Sequence, residues 1–209
     1  PTHTCDYEQL YIDFERSPEP EPEGSELPDG TYVQNEWFGR YGMTVTAYPA
    51  GSTTSSGGTE ALVVDLDEPH EKVLTIPTTG SSPGQDLPNE AGGNITFTFD
   101  TPAVEVFAIG LIDLNPAVTS VEGGWTLVVE KADESGTLVI LEVPVLSPGG
   151  GSSVVSQNVT IDEDNVRSVT LVMTGPGAVS FLSVCVDDRP SASPSQSPGP
   201  SVSTSEGPS

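Results

Sequence analysis

Short apolar runs alternating with polar residues recur from Tyr11 to Val186, and none of them keeps a helical period. The pattern is cleanest in Asn94-Ile-Thr-Phe-Thr-Phe99, where Ile95, Phe97 and Phe99 share one side and Asn94, Thr96 and Thr98 the other. A period of two with one apolar side belongs to a half-buried antiparallel strand. The same reading predicts strands at Leu10–Glu15, Met43–Tyr48, Ala61–Leu66, Lys72–Ile76 and Asn94–Phe99. Further strands are predicted at Ala103–Leu114, Trp125–Lys131, Thr137–Val143, Val154–Ile161, Arg167–Thr174 and Ala178–Val186. Gly, Pro, Ser and Asn fill the gaps at 50–59, 78–93 and 147–153 and mark turns. About ten short strands separated by such loops predict an all-β protein, a single antiparallel β-sandwich of jelly-roll-like form.

Two segments break the pattern. Ser17-Pro-Glu-Pro-Glu-Pro-Glu23 has proline at alternate positions, which forbids helix and central strand. It predicts an extended, exposed loop over 17–28. The tail, 189–209, is almost wholly Ser, Pro, Gly and Thr, and it has nothing with which to build a core. The expected organisation is one β-sandwich domain at 1–188 and an extended Ser/Pro-rich tail at 189–209. About 20 residues at roughly 3.1 Å each give the tail a reach of about 60 Å.

Charge narrows the function classes. The formal net charge is -25, with only six Lys and Arg in 209 residues. Phosphate contacts need clustered cations, so nucleic acid is excluded as a partner, and anionic membrane surfaces are disfavoured for the same reason. No apolar run is long enough for a membrane helix, so no membrane insertion is expected. No signal peptide is visible, which is uninformative because a mature secreted chain has lost its own.

The two cysteines, Cys5 and Cys185, bracket the β-rich region. Their placement suggests a disulfide joining the first and last segments, with two buried free thiols as the alternative. Closing so long a loop contributes about 4–5 kcal/mol in the chain-entropy model, and a disulfide implies an oxidising, extracellular compartment. Two N-glycosylation sequons, Asn94-Ile-Thr96 and Asn158-Val-Thr160, lie on strands opposite apolar neighbours. Their asparagines are therefore expected to face solvent, where a glycan fits. Ser193 and Ser197, each followed by proline, resemble the O-glycosylated positions of mucin-like stalks, against the alternative of a bare flexible linker. Covalent glycans are thus expected.

Catalytic signals are weak. Gly80-Ser-Ser-Pro-Gly84 matches the G-x-S-x-G pattern but sits in a polar Gly/Pro loop, not at a strand-to-helix turn. His3 and His70 are the only histidines, too few for a His-based zinc site. A thiol nucleophile competes with the disulfide. Gly149-Gly-Gly151 has neither the lysine nor the helix of a phosphate-cradling loop. Asp65, Asp67, Glu68 and Asp113 end strands and raise the two-carboxylate arrangement of glycosidases, yet acids are so abundant that proximity is expected by chance. The candidate sugar-stacking aromatics are Trp37, Phe38, Tyr41, Tyr48 and Trp125. No catalytic residue is assigned, and the chain is expected not to be an enzyme.

Calcium is the leading site hypothesis. It takes six to eight oxygen ligands, mixing carboxylates and carbonyls. Asp13 and Glu15 alternate onto one side of the first strand, Asp187 and Asp188 follow the last, and Asp113 and Asn115 end another. Glu15, Asp113 and Asp187 are the candidate ligands. A second acidic run, Asp162-Glu-Asp164-Asn165, lacks the glycine and terminal glutamate of an EF-hand loop. The plain alternative is solvated surface acid.

One resemblance adds to these readings. Ile12-Asp-Phe-Glu15, Tyr41-Gly-Met-Thr-Val-Thr-Ala47, Val73-Leu-Thr-Ile76, Gly93-Asn-Ile-Thr-Phe-Thr-Phe-Asp100 and Ile109-Gly-Leu-Ile-Asp-Leu114 carry it. In order and spacing, the region from Tyr11 to Asp188 resembles β-sandwich modules of secreted surface proteins from diatoms, related algae and some bacteria. The resemblance implies a jelly-roll-like module used for adhesion, cell-wall association or extracellular fibres. It also implies that Glu15 and Asp187 match the calcium positions of some sugar-binding jelly rolls, although the Pro/Glu insertion at 17–23 departs from the simple pattern. The expectation is a non-catalytic extracellular structural or adhesive glycoprotein that self-associates, assembling head to tail through its tail or an edge strand. The alternative is a calcium-assisted carbohydrate-binding module whose partner is an extracellular polysaccharide.

Overall fold

The structure is a computed structural model that describes residues 9–16, 25–50, 59–66, 72–78, 89–114, 124–143 and 155–186, with only the backbone of Val104. Among these lie β1 (Gln9–Ile12), β2 (Tyr32–Val33), α1 (Phe38–Tyr41), β3 (Met43–Pro49), β4 (Ala61–Asp65) and β5 (Lys72–Thr75). They are followed by β6 (Gly93–Asp113), β7 (Trp125–Lys131), β8 (Leu138–Val143), β9 (Val155–Met173) and β10 (Gly177–Cys185). Every pairing between these strands is antiparallel. The all-β, jelly-roll-like sandwich is what the alternation predicted. Of the loop expected at 17–28, residues 17–24 lie outside the described residues, as does the whole tail at 189–209. The end of that loop is not exposed throughout, because Glu26 forms a β-bridge with Arg16 and Leu27 is buried in the core, its N–H donating to the Glu15 carbonyl at 2.9 Å.

Two predicted pairs of strands are each one continuous strand. Asn94–Phe99 and Ala103–Leu114 join in β6, and Val154–Ile161 and Arg167–Thr174 join in β9. Their pairing slips between Thr98 and Ala103 and again between Val106 and Ala108. Asp162 and Asn165 adopt φ of 50° and 51° at the matching stretch of β9, a conformation that Asp and Asn tolerate better than most residues. Bulges and left-handed residues bend a strand and let it pass from one layer of a sandwich to the other. They also interrupt the alternation, which is why the sequence reads as separate strands.

The bends divide one hydrogen-bonded network into two layers. In the first, β3 pairs residues 93–99 of β6, of which 93–98 pair residues 168–173 of β9, followed by β7 and β8. In the second the order is β2, β4, β5, β10, the 103–113 half of β6 and the first half of β9. β1 takes the Leu182–Cys185 end of the β10 edge, whose Ala178–Val179 end is held by β5. Inward residues of both layers form one core: Val45, Ile95, Phe97, Leu127 and Leu171 from the first, Leu74, Ile109, Leu111, Val179 and Leu182 from the second.

Phe14 closes one end of this core. Its φ of 61° is costly for a bulky residue, roughly 1–2 kcal/mol, but its ring is completely buried. It meets Trp37 edge-on at 5.5 Å and stacks on Phe97 at 6.1 Å. Full burial of such a ring contributes about 1.5–3 kcal/mol, which offsets the strain. At the β9 bend Lys131 donates to Glu163 at 3.0 Å and also to Asp164. These hydrogen bonds raise its pKa above the usual 10.5.

Candidate functional site

The outward side of the β10 layer carries an aromatic ledge. Alternation along β1 buries Ile12 and leaves Tyr11 facing out, 63% exposed. Tyr11 stacks on Phe181 of β10, with ring centroids 4.7 Å apart and planes 25° from parallel. Phe181 stands opposite Gly110 of β6. A Cβ built on Gly110 would collide with the Phe181 ring, so the missing side chain is what lets the ring lie flat across the neighbouring strand. A glycine inside a strand often marks such a close approach. Phe181 is thereby 8% exposed and serves as a rigid base, while Tyr11 presents its ring to solvent.

Polar groups border the ledge. Gln9 donates from Nε2 to Ser183 Oγ at 2.9 Å. Asn158, the second sequon asparagine, is exposed and stands directly opposite Gly110 on the far side from Phe181. Thr160, the hydroxyl residue of that sequon, faces the same way opposite Ala108. The ledge thus combines one exposed aromatic ring, a buried ring beneath it, and the exposed side chains of Gln9, Asn158 and Thr160 on the same side of the layer, while Ser183 is itself buried.

The outward side of the other layer is different. One row across it runs Thr46, Thr96, Thr170, Val128 and Ile140. The next runs Thr44, Thr98, Ser168, Glu130 and Leu138. Thr96 and Thr170 share a hydrogen bond at 3.0 Å, and Ser168 donates to Glu130 at 3.1 Å. Asn94 sits beside Tyr48 on this side and is half-buried, less open than Asn158.

Two candidate sugar-stacking residues are corrected by the structure. Trp37 is 1% exposed and Trp125 is 4% exposed, and both belong to the core. Trp125 leads the inward series Trp125, Leu127, Val129, and its indole lies over Gly177, where a Cβ would strike it. Of the other candidates, Phe38 is exposed, Tyr41 packs against the core beside Arg40, and Tyr48 is half-buried. Tyr11 and Phe181 were not singled out from the sequence. The signal available was Gly110 interrupting an apolar strand, but its partner 71 positions later was not legible.

The calcium candidates are only partly described. Glu15 is exposed beyond β1, and its N–H donates to Asp13 Oδ1 at 3.2 Å. Asp113 is buried at the end of β6, opposite Gly177 and Val155. Asp187 lies outside the described residues, and among the described ones no group of three or more His, Cys, Asp or Glu is gathered as a metal centre. Cys185 is fully buried opposite Gln9 and Glu105, and there is no free cysteine among the described residues. Cys5, Ser193, Ser197 and the 80–84 loop lie outside them. Of the strand-end acids, Asp65 is exposed, stands opposite Lys72 of β5 and donates its N–H to Asp29 Oδ1 at 3.0 Å, while Asp67 and Glu68 lie outside the described residues. No described helix is long and apolar enough to cross a membrane, which says nothing of β-barrels.

No family model matches the chain, and no curated protein matches it. Among solved structures it is similar to a family 29 carbohydrate-binding module complexed with cellulohexaose, with a TM-score of 0.37 and 10% identity over 84% of this chain and 90% of that one. A second structure of that module gives a TM-score of 0.34 and 17% identity over 85% and 91%. A cleaved adhesin domain of Lys-gingipain from Porphyromonas gingivalis gives 0.35 and 8% over 86% and 99%. Likeness at this level bears on neither the ligand nor the partner of this chain, and nothing in it concerns diatoms or algae.

Proposed function

We propose that the chain is a non-catalytic extracellular binding module whose ligand is a polysaccharide, taken up on the Tyr11–Phe181 ledge. The observation that carries this reading is the exposed Tyr11 ring held flat on Phe181. A pyranose has an apolar C–H side and a polar rim. An amphipathic aromatic ring suits the first, and the exposed Gln9 and Thr160 suit the second. Tyr11 is 63% exposed, so its ring can cover one side of a sugar. A net charge of -25 repels acidic polymers, which points to a neutral or cationic polysaccharide.

Secretion, a Cys5–Cys185 disulfide, glycans at Asn94 and Asn158, O-glycans at Ser193 and Ser197, and a calcium ion held by Glu15, Asp113 and Asp187 belong to the same reading as proposals. The buried position of Cys185 supports the disulfide, and the exposure of Asn158 fits the second sequon, where a glycan opposite Gly110 would compete with a polysaccharide on the ledge. The test is affinity electrophoresis against neutral and cationic polysaccharides, with and without chelator. Retardation that Tyr11→Ala abolishes supports the reading. Retardation that survives Tyr11→Ala removes the ledge from it, and loss on chelation supports calcium.

The self-associating reading has its own observation. Leu138 and Ile140 are 58% and 62% exposed and lie side by side on β8, at the end of the strand order.

A further inference from the structure

β8 pairs with β7 alone among the described strands, leaving its other edge at the end of the first layer. Natural edge strands are usually blunted by lysine, proline, a bulge or an inward charge. Thr137-Leu-Val-Ile-Leu141 has none of these, and no pairing slip is seen against β7. Its outward residues Leu138 and Ile140 are exposed, while Val139 and Leu141 pack against the core. The strand is held at its turn: Asp133 Oδ1 accepts from the Thr137 N–H at 2.8 Å and from Ser135 Oγ at 3.0 Å. The edge is therefore apolar, flat and fixed.

We infer that this edge pairs antiparallel with β8 of a second copy of the chain, joining the two first layers into one continuous sheet. Charge selects both the occupant and the register. In a chain of net charge -25, residues 137–141 carry no charge, so two copies meet there without opposing carboxylates at the centre. Directly opposite residues in an antiparallel pair share a side of the sheet, which restricts the registers. Centring the two-fold on Ile140 puts Leu138 opposite Glu142, and centring it on Leu138 puts Glu142 opposite Glu134. Centring it on Val139 puts Leu138 opposite Ile140 twice and Glu142 opposite Gly136. The last register buries both exposed apolar side chains and opposes no acids. Such a contact is isologous and closes on itself, so it gives a dimer rather than the head-to-tail fibre expected from the sequence.

Sedimentation equilibrium of the whole chain tests the pairing. Dimerisation that strengthens with added salt is expected, because salt screens the repulsion between two acidic bodies. Replacing both Leu138 and Ile140 by lysine puts like charges opposite each other and should return the chain to monomer. Both positions are exposed, so the double variant should keep the wild-type circular dichroism and melting profile. A second measurement fixes the register: Leu138→Cys and Ile140→Cys chains, mixed and oxidised, should form a disulfide-linked dimer that neither forms alone. A monomeric wild-type chain at high salt, a dimer untouched by the double lysine variant, or cross-linking of either cysteine variant by itself would overturn the pairing.

Discussion

On the outward side of the β10 layer, Phe181 lies across Gly110 and carries Tyr11; on the outward side of the β3 layer, threonines meet in rows that end at Ile140 and Leu138. Both sides are written by the same strand alternation. The difference rests on one missing side chain. Where a strand has a Cβ at every position, outward residues stand upright and form a corrugated hydroxyl surface. Where Gly110 leaves a gap, a ring can lie down, and a second ring can stack on it. The first arrangement satisfies its polar groups among themselves, as Thr96 and Thr170 do. The second leaves an exposed aromatic ring with polar groups around it, the surface we propose for a ligand.

The largest break of this contrast is Phe181→Ala. Removing a nearly buried ring should cost about 3–5 kcal/mol, and sugar binding should disappear with the base of the ledge. Chemical denaturation and affinity electrophoresis check the two effects. Gly110→Val should be smaller, about 1–3 kcal/mol, because it overpacks a site where the ring must move. It tests whether the gap rather than the ring identity makes the ledge. Tyr11→Ala separates stability from function: about 1 kcal/mol or less in unfolding, the worth of an exposed aromatic pair, with binding weakened at least about tenfold. On the opposite side, Thr96→Val removes one hydroxyl pair and should cost about 0.5–1.5 kcal/mol with binding unchanged.

The smallest effect concerns pH at the β8 turn. Hydrogen bonds from the Thr137 side chain and backbone, and then from Ser135 and Gly136, hold the Asp133 carboxyl down to about 2, against an ordinary 3.8. A carboxyl with a lowered folded pKa contributes stability that is complete above the unfolded value and is lost as pH falls through the folded one. Its contribution should therefore fade between about pH 4 and pH 2. Asp133→Asn should lower the melting temperature slightly at pH 7 and flatten its fall over that window, so that the two chains converge below about pH 2. An unaltered acid profile in the variant would show that the turn does not hold Asp133 in this way.

Most of the fold was legible because strand alternation is local. Trp125–Lys131 has the bounds expected from the sequence, and β3, β4, β5, β8 and β10 differ from theirs by one or two residues. The bends were not legible as bends. Pro102 and the acidic run at 162–165 look like strand ends, and only pairing to a neighbour shows that β6 and β9 continue through them. The tryptophans were misassigned for a different reason. Trp125 belongs to the same side as Leu127 and Val129, a pattern present in the sequence but outweighed by the usual role of exposed indoles. The ledge depends on the register of β10 against β6, and register between distant strands is set by tertiary packing.

The most direct measurement is isothermal titration of the wild-type chain and of Tyr11→Ala with a series of neutral and cationic oligosaccharides. Saturable binding of at least one by the wild type is expected, lost in Tyr11→Ala while the fold is kept. Binding of equal strength in both chains, or none to any of the series by the intact protein, would contradict it.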